Sequence, residues 1–307
     1  MSAVGFDTSN YTTSIALYDC NGAHNCSQLL PVKEGELGLR QSDAVFHHTK
    51  SLPELSGRLF SNANRSAITV VGVSTRPRAV EGSYMPCFMV GYSHAKLLAE
   101  ALGVPLVECS HQQGHVAAAL WSADRLDLMD TPHLAWHLSG GTTELLLVEP
   151  DGKNVRCTRI GGTTDISAGQ LIDRTGQLLN LPFPAGKHLD KLSGESITKD
   201  LFKVKCKDLG FSLSGVQNKV NEYYAAGQNA ADTAAFALRC VCHAVYKTTE
   251  DALKRYPGMP VVFSGGVASN SMLRQYVAPL RPIFAKPEFS TDSALGVALI
   301  AHRMQED

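Results

Sequence analysis

Apolar and polar positions follow the same pattern twice, once at the start of the chain and once near its middle. Ala3 to Phe6 is short and apolar, Asp7-Thr8-Ser9-Asn10-Tyr11-Thr12 is polar, and Thr13 to Tyr18 is β-branched and apolar. That pattern predicts strand, turn and strand, with Asp19-Cys20-Asn21-Gly22 as a hairpin turn. In the middle, Leu134 to Leu138 is apolar, Ser139-Gly140-Gly141-Thr142-Thr143 is the turn, and Glu144 to Val148 returns as a strand. Asp151-Gly152-Lys153-Asn154 closes the next hairpin and Val155 to Ile160 forms a third strand. Two openings of one design predict an internal duplication of architecture rather than of sequence.

Other segments fill this frame. Ile68 to Ser74 reads as a strand, Val90 to Leu102 as a helix, and Pro105-Leu106-Val107 as a short strand leading into Ser110. His111 to Leu120 reads as a helix with Ser110 as its N-cap. Asp165 to Leu179 has apolar residues at Ala168, Leu171, Ile172, Leu178 and Leu179, a helical stripe for which Asp165 is a good cap. Ala230 to Tyr256 is one long Ala-rich helix or two. Pro260 to Phe263 is a strand, Gly265-Gly266 a turn, Asn270 onward a helix, and Ser293 to Met304 the last helix. The polar segment Glu34 to Lys50, with His47 and His48, reads as a loop or an irregular helix. Strands and helices mixed in both halves indicate an α/β protein. The lobes are expected at 1–130 and 131–307, with the last helix free to pack back on the first lobe.

Composition narrows the class. The chain has 307 residues, a hydrophobic fraction of 44% and a charged fraction of 19%, ordinary for globular domains with sizeable cores. No apolar run approaches the roughly 18 residues a membrane helix needs. The opening MSAVGFDTSN lacks the basic and apolar regions of a secretory signal. With the eight scattered cysteines and no C-x-x-C pair, this reads as a cytoplasmic protein with reduced thiols and no membrane association. The net charge of -1 matters for partners: gripping a nucleic acid needs positive charge, so a local patch or a partner protein would have to supply it.

Three turns that follow strands could carry chemistry: Asp7 to Thr12, Ser139 to Thr143 and Gly265 to Asn270. Such turns present amides and hydroxyls, and glycine lets a backbone approach a phosphate or base closely. Each alone is equally a plain tight turn, and neither the P-loop nor the Rossmann pattern is present. His111 and His115 stand four apart on a helix, so both imidazoles share one face and could bind one metal ion. They read equally as two half-buried histidines, since Gln112 replaces the glutamate of the zincin motif and no third ligand is visible by spacing. Asp173 lies on the striped helix. Asp190 beside Lys191 reads as a solvated pair, and Ser212 and Ser214 as hydroxyls in a turn.

Together these motifs resemble the tRNA threonylcarbamoyladenosine synthase family (TsaD type, once called O-sialoglycoprotein endopeptidases). That family belongs to the actin, heat-shock chaperone and sugar-kinase (ASKHA) superfamily. The resemblance runs in order through nearly the whole chain. Gly5-Phe6-Asp7-Thr8-Ser9 resembles its opening strand-turn, and Ser110-His111-Gln112-Gln113-Gly114-His115 its H-x-x-x-H motif. Leu138 to Thr143 is similar to its S-G-G-H-T turn. Phe183-Pro184-Ala185-Gly186 and Leu189-Asp190-Lys191-Leu192 resemble its Pro-Gly turn and Asp-Lys-Leu signature. Phe211-Ser212-Leu213-Ser214-Gly215 resembles its F-S-F-S-G, Gly265 to Asn270 its adenosine loop, and Thr291-Asp292 its T-D-N.

The resemblance implies two duplicated ASKHA lobes with a central cleft. It implies one divalent metal, ferrous iron or zinc, held by His111, His115 and Asp292. It implies an adenylate or ATP-type nucleotide at Ser139, Gly140, Gly141, Asp173, Gly186, Asp190 and Asn270. The implied reaction moves a threonylcarbamoyl group from its adenylate to the adenosine just 3′ of the tRNA anticodon. The implied partners are tRNA, captured through partner proteins, a same-fold paralogue and a small ATPase. The chain departs from the family's pattern in several places. Asn10, Tyr11 and Thr12 stand where the family has an acidic pair, and Thr142 replaces the histidine of S-G-G-H-T. Arg76-Pro77-Arg78 replaces a Gly-Pro-Gly turn, Gln217 a basic residue, and Ser293 the asparagine of T-D-N. Two further readings follow from these departures: a paralogue transferring a carbamoyl or acyl group to another acceptor, and a scaffold partner of a true synthase.

Overall fold

The computed structural model describes all residues except 32–38, 62, 287–288, 290–292 and 306–307. The chain forms two compact units, Met1–Thr131 with Glu149–Cys157 and Thr291–Asp307, and Pro132–Val148 with Thr158–Ser290. Among the described residues no helix is long and apolar enough to cross a membrane.

In the first unit, β1 (Ser2–Thr8), β2 (Thr12–Asp19), β3 (Gly22–Leu29), β4 (Ile68–Arg76) and β5 (Leu106–Ser110) form a sheet of order β3-β2-β1-β4-β5. β1 to β3 run antiparallel in sequence, and β4 and β5 are added parallel to β1. Every residue of β1 is buried, as a strand covered on both faces requires, so its apolar run does not alternate. The edge strand β3 is mostly exposed and polar, which suits an edge. The helices are α1 (Gln41–Phe60), α2 (Phe88–Leu102), α3 (His111–Ser122) and α9 (Leu295–Arg303).

α9 packs against the sheet and α3 through small residues. A Cβ on Gly5 would fall 2.5 Å from the Ala294 carbonyl oxygen, and one on Gly72 2.8 Å from that of Val297. A Cβ on Gly296 would fall 1.8 Å from the Gly114 carbonyl oxygen. Glycine is therefore required at these positions by close backbone approach.

The second sheet, most of it in the second unit, is formed by β6 (His133–Leu138), β7 (Thr143–Asp151), β8 (Asn154–Thr163), β9 (Gly210–Phe211), β10 (Val261–Ser264) and β11 (Ile283–Phe284), in the order β11-β10-β6-β7-β8-β9. Its segment β8-β7-β6-β10-β11 repeats the strand order of the first unit, with β10 and β11 again parallel additions. The duplication of architecture is thus present in the topology. The helices are α4 (Ala168–Leu178), α5 (Gly186–Ser193), α6 (Ser214–Ala225), α7 (Ala230–Arg255) and α8 (Ser271–Val277). The core is aromatic: Trp136 and Phe263, paired across β6 and β10, are fully buried with Phe211 and Phe236 close to it. The Trp136 indole N–H donates to Thr249 Oγ1 on α7 at 2.8 Å.

Two expectations are corrected and one open alternative is resolved. The segment read as a loop or irregular helix is, from Gln41 on, the regular helix α1, whose buried stripe Ala44, His48, Ser51, Leu52, Leu55 and Leu59 includes polar members. Residues 34–38 of that segment lie outside the described residues. The striped helix starts at Ala168, not Asp165: Ser167 is its N-cap and forms a reciprocal capping box with Gln170. The Ala-rich stretch is one helix.

Candidate functional site

In the first unit the histidine pair is placed by a well-defined helix start. Ser110 caps α3, its hydroxyl accepting from the Gln113 amide while the Gln113 side chain accepts from the Ser110 amide. His111 is then the first helical residue and His115 lies one turn on. Behind His111 sits Asp7 at the end of β1, only 1% exposed. Its carboxylate oxygens lie 2.9 and 3.1 Å from His111 Nδ1, and one of them also accepts from the Ser74 hydroxyl. A carboxylate accepting Nδ1–H fixes the imidazole tautomer and leaves the Nε2 lone pair facing forward. His111 Nε2 and His115 Nε2 approach to 2.9 Å.

Two nitrogens converging in this way, one backed by a buried carboxylate, are the donor set of a histidine-bound metal ion, so the residues present fit one. Among the described residues no set of three His, Cys, Asp or Glu side chains is placed to hold a metal. Asp292, the third implied ligand, lies outside the described residues. All eight cysteines are free thiols, and burial pushes the Cys87 thiol up to about 12 and Cys109 further in the same direction.

In the second unit the structure brings the seven nucleotide candidates into one connected set. The Ser139–Thr142 turn is closed by the Ser139 amide donating to the Thr142 carbonyl at 2.8 Å and the Thr142 amide to Ser139 Oγ at 3.1 Å. α4 is docked on it: Ser167 Oγ donates to the Gly140 carbonyl at 2.6 Å, and a Cβ on Gly169 would meet Gly140 Cα at 2.4 Å. Farther along α4, Asp173 Oδ1 accepts from the Ala185 amide at 2.9 Å and so holds the turn that opens α5 at Gly186. Burial pushes the Asp173 carboxyl up, and that hydrogen bond opposes the shift.

Asp190 on α5 reaches α8, accepting from the Ser271 amide and hydroxyl at 2.9 and 2.8 Å. This corrects its reading as a solvated pair with Lys191. Asn270 caps α8, its Oδ1 accepting from the Leu273 amide at 2.9 Å. Gly265, at φ 90°, closes the circuit, since a Cβ there would fall 2.2 Å from the Leu138 carbonyl just before the Ser139 turn.

The glycines of this circuit divide in two. Gly169, Gly176 and Gly265 are packed against protein atoms, whereas Gly140, Gly141, Gly186 and Gly266 have nothing within 4 Å of where a Cβ would stand. None of these four has a positive φ. Neither packing nor backbone conformation therefore requires glycine at them, as is also true of Gly57 on α1 and Gly215 on α6.

The sequence reading missed two carboxylates. Asp7 was seen only as part of a turn. Asp165 is the anchor of the Ser212–Ser214 loop: it accepts from the Ser212 and Ser214 hydroxyls and from the Leu213 amide at 2.8 Å. Partial burial works to raise its pKa, but these hydrogen bonds overcome it and hold the carboxyl down at about 2. Asp7 could have been singled out as an acid ending an otherwise apolar strand. Nothing local marks the role of Asp165.

The repeated strand order defines a class, the actin/sugar-kinase-like (ASKHA) fold. Full-length HypF in its phosphate- and nucleotide-bound form matches all of this chain over 47% of its own length, with TM-score 0.63 and 14% identity. A ROK hexokinase from Thermus thermophilus matches 98% of both chains with TM-score 0.53 and 16% identity. At such identities the likeness shows the fold alone.

The sequence defines the family. The model of tRNA N6-adenosine threonylcarbamoyltransferase (TsaD) matches residues 35–299, and the chain belongs to that family. A tRNA N6-adenosine threonylcarbamoyltransferase of Carboxydothermus hydrogenoformans is 32% identical over 263 residues, covering 82% of this chain and 75% of the relative. That of Thermosipho africanus is 28% identical over 99% of this chain and 94% of its own. That of Streptococcus suis is 34% identical over 69% of this chain, which spans 62% of that relative's length.

Proposed function

We propose that the protein transfers a threonylcarbamoyl group from threonylcarbamoyl-adenylate to the adenosine 3′ of the tRNA anticodon, in the cytoplasm. The observation that carries this reading is the set of open glycines, Gly140, Gly141, Gly186 and Gly266, in a circuit closed by Asp173, Asp190 and Asn270. A site that keeps Cβ atoms away where its own packing does not need it is shaped for close approach of a ligand backbone or ring. Ser139 and the amides of Gly140 and Gly141 would orient the adenylate phosphate, with Asp173, Gly186, Asp190 and Asn270 around the rest of the nucleotide.

His111 and His115, with Asp292, would hold one ferrous or zinc ion, which when bound supplies Lewis-acid polarisation of the acyl donor. Asp7 holds the His111 ring through Nδ1, so that its Nε2 would be the atom presented to such an ion. In the reaction the exocyclic amine nitrogen bonds to the carbamoyl carbon, the bond from that carbon to the phosphate oxygen breaks, and the amine loses a proton as AMP leaves. Holding donor and acceptor in register provides much of the rate. The low net charge fits tRNA capture with partner proteins, a same-fold paralogue and a small ATPase.

The test is transfer of labelled threonylcarbamoyl from its adenylate to unmodified tRNA by metal-loaded protein with the host's partner proteins. Product that disappears in Asp292→Ala supports the reading. No product, while a typical family member works in the same assay, overturns it in favour of a paralogue with another acceptor or a scaffold.

A further inference from the structure

The segment between α5 and β9 carries lysines at 199, 203, 205 and 207, all exposed. From Lys203 to Lys207 burial alternates: Val204 is buried in the aromatic core, Cys206 is half-buried, and the three lysines face out. The backbone beneath them is held in place. Cys206 Sγ donates to the Ala244 carbonyl on α7 at 3.8 Å. Lys207 and Gly210 exchange two backbone hydrogen bonds, at 2.9 and 2.8 Å, around Asp208 and Leu209, both at positive φ. β9 then pairs with β8, and the next loop is tied to Asp165.

Of the carboxylates nearby, Asp208 pairs with Arg255 at 3.3 Å and Asp251 with Lys254 at 2.9 Å, while Asp200 accepts from the Tyr223 hydroxyl at 2.6 Å. Lys203, Lys205 and Lys207 thus form an exposed row, spaced two residues apart, on a backbone anchored at Val204, Cys206 and Lys207. The exposed aromatic Phe202, 38% accessible, stands beside it. The positive field reaches α7, where burial and then the charges of Lys203 and Lys247 push the His243 imidazole down.

We infer that Lys203, Lys205 and Lys207, with Phe202, form the surface on which the protein holds the phosphate backbone of its RNA substrate. In a chain of net charge -1 this row is the local positive patch that nucleic-acid binding requires. Lysines with an interleaved aromatic match a strand that offers phosphates and an unstacked base. A row that touches phosphates contributes affinity without reading sequence. The inference rests on the transferase reading, which names RNA as the substrate.

The experiment is fluorescence anisotropy of a labelled anticodon stem-loop RNA against full-length protein, from low to moderate salt. Three proteins are compared: wild type, the triple variant Lys203→Gln, Lys205→Gln, Lys207→Gln, and a charge-matched control, Lys50→Gln, Lys96→Gln, Lys153→Gln. We expect the row variant to bind at least about tenfold more weakly at low salt. Its log–log salt slope should be shallower by about 0.7–0.9 per phosphate contact removed, while the control behaves as wild type. Four outcomes overturn the inference: wild type that binds no RNA at low salt, a row variant that binds as wild type, a control that loses as much, or polyglutamate that competes as well as RNA at equal charge. The transfer assay stays separate. A row variant with unchanged RNA binding leaves the transferase reading standing. A row variant that loses RNA binding, in a wild type that transfers nothing, removes the transferase reading and with it the RNA as substrate, leaving the row only as an RNA-binding surface.

Discussion

The two sheets share one strand order and use glycine in opposite ways. Across β1 and β4 the paired residues Gly5 and Gly72 let α9 sink onto the sheet, and Gly296 and Gly114 let α9 and α3 touch backbone to backbone. Across β6 and β10 the paired residues are Trp136 and Phe263, and the sheet is filled by aromatic bulk. The glycines of the second unit that we propose to face a ligand, Gly140, Gly141, Gly186 and Gly266, stand in open space. A packed glycine exposes more backbone freedom on unfolding, roughly 0.5–1 kcal/mol relative to alanine, and is kept for the close approach it allows. An open glycine at an ordinary φ carries that cost without internal return. The contrast separates glycines that packing requires from glycines that it does not, and Gly114 places the histidine pair on a helix held closely against α9.

The sharpest way to break this contrast is Gly296→Ala. Its Cβ would sit 1.8 Å from the Gly114 carbonyl oxygen, a backbone atom that cannot rotate away, and Gly114 lies between His111 and His115. We expect a loss of at least about 3 kcal/mol in urea unfolding, at the upper end of overpacking effects. A variant within about 1 kcal/mol of wild type would show that α9 and α3 have room to separate, and the packed class would lose its best member.

A second substitution asks whether rigid packing alone presents the histidines. Asp7→Asn keeps the side chain's shape but removes the charge behind His111 Nδ1. If the carboxylate orients the ring and strengthens its basicity, divalent-metal affinity measured by competition with a chromophoric chelator should fall about ten- to a hundredfold. His111→Ala sets the floor of the same titration. Affinity equal to wild type would assign the presentation of the pair to α3 and α9 alone.

Much of this was legible in the sequence, for local reasons. The opening strands show as apolar and β-branched runs cut by polar turns, and α3 is marked by Ser110 with Gln113 three residues on. The same capping rule, applied to Ser167 and Gln170, would have moved the start of α4 away from Asp165, which is also a cap-forming residue. α1 was obscured because its buried stripe includes His48 and Ser51 and its interior holds Pro53. The motif residues Ser139, Gly140, Gly141, Asp173, Gly186, Asp190 and Asn270 could be picked out one by one. Their connection could not, because Asp190 meets Ser271 across 81 residues and Asp7 meets His111 across 104. Such pairings are tertiary and leave no periodicity behind. The distinction between packed and open glycines is tertiary too, since Gly169 and Gly140 look alike in a one-dimensional pattern.

Gly186→Ala tests the other side of the contrast, where the expected effect on stability is smallest and of opposite sign. Gly186 is the first residue of α5, has no positive φ, and has empty space where a Cβ would go. Alanine there lowers the entropy of the unfolded chain and favours the helix, so urea unfolding should show a gain of about 0.4–1 kcal/mol. The Asp173 bond to the Ala185 amide, beside it, is untouched by the added methyl. If the opening is reserved for a nucleotide, the same variant should bind a non-hydrolysable ATP analogue about tenfold more weakly by titration calorimetry, since the methyl occupies the space the ligand needs. Gain of stability together with loss of binding is a combination that damage to the fold cannot produce. Unchanged binding would return Gly186 to the ordinary turn glycines, and the assignment of the circuit to a nucleotide would then rest on Gly140, Gly141 and Gly266 alone.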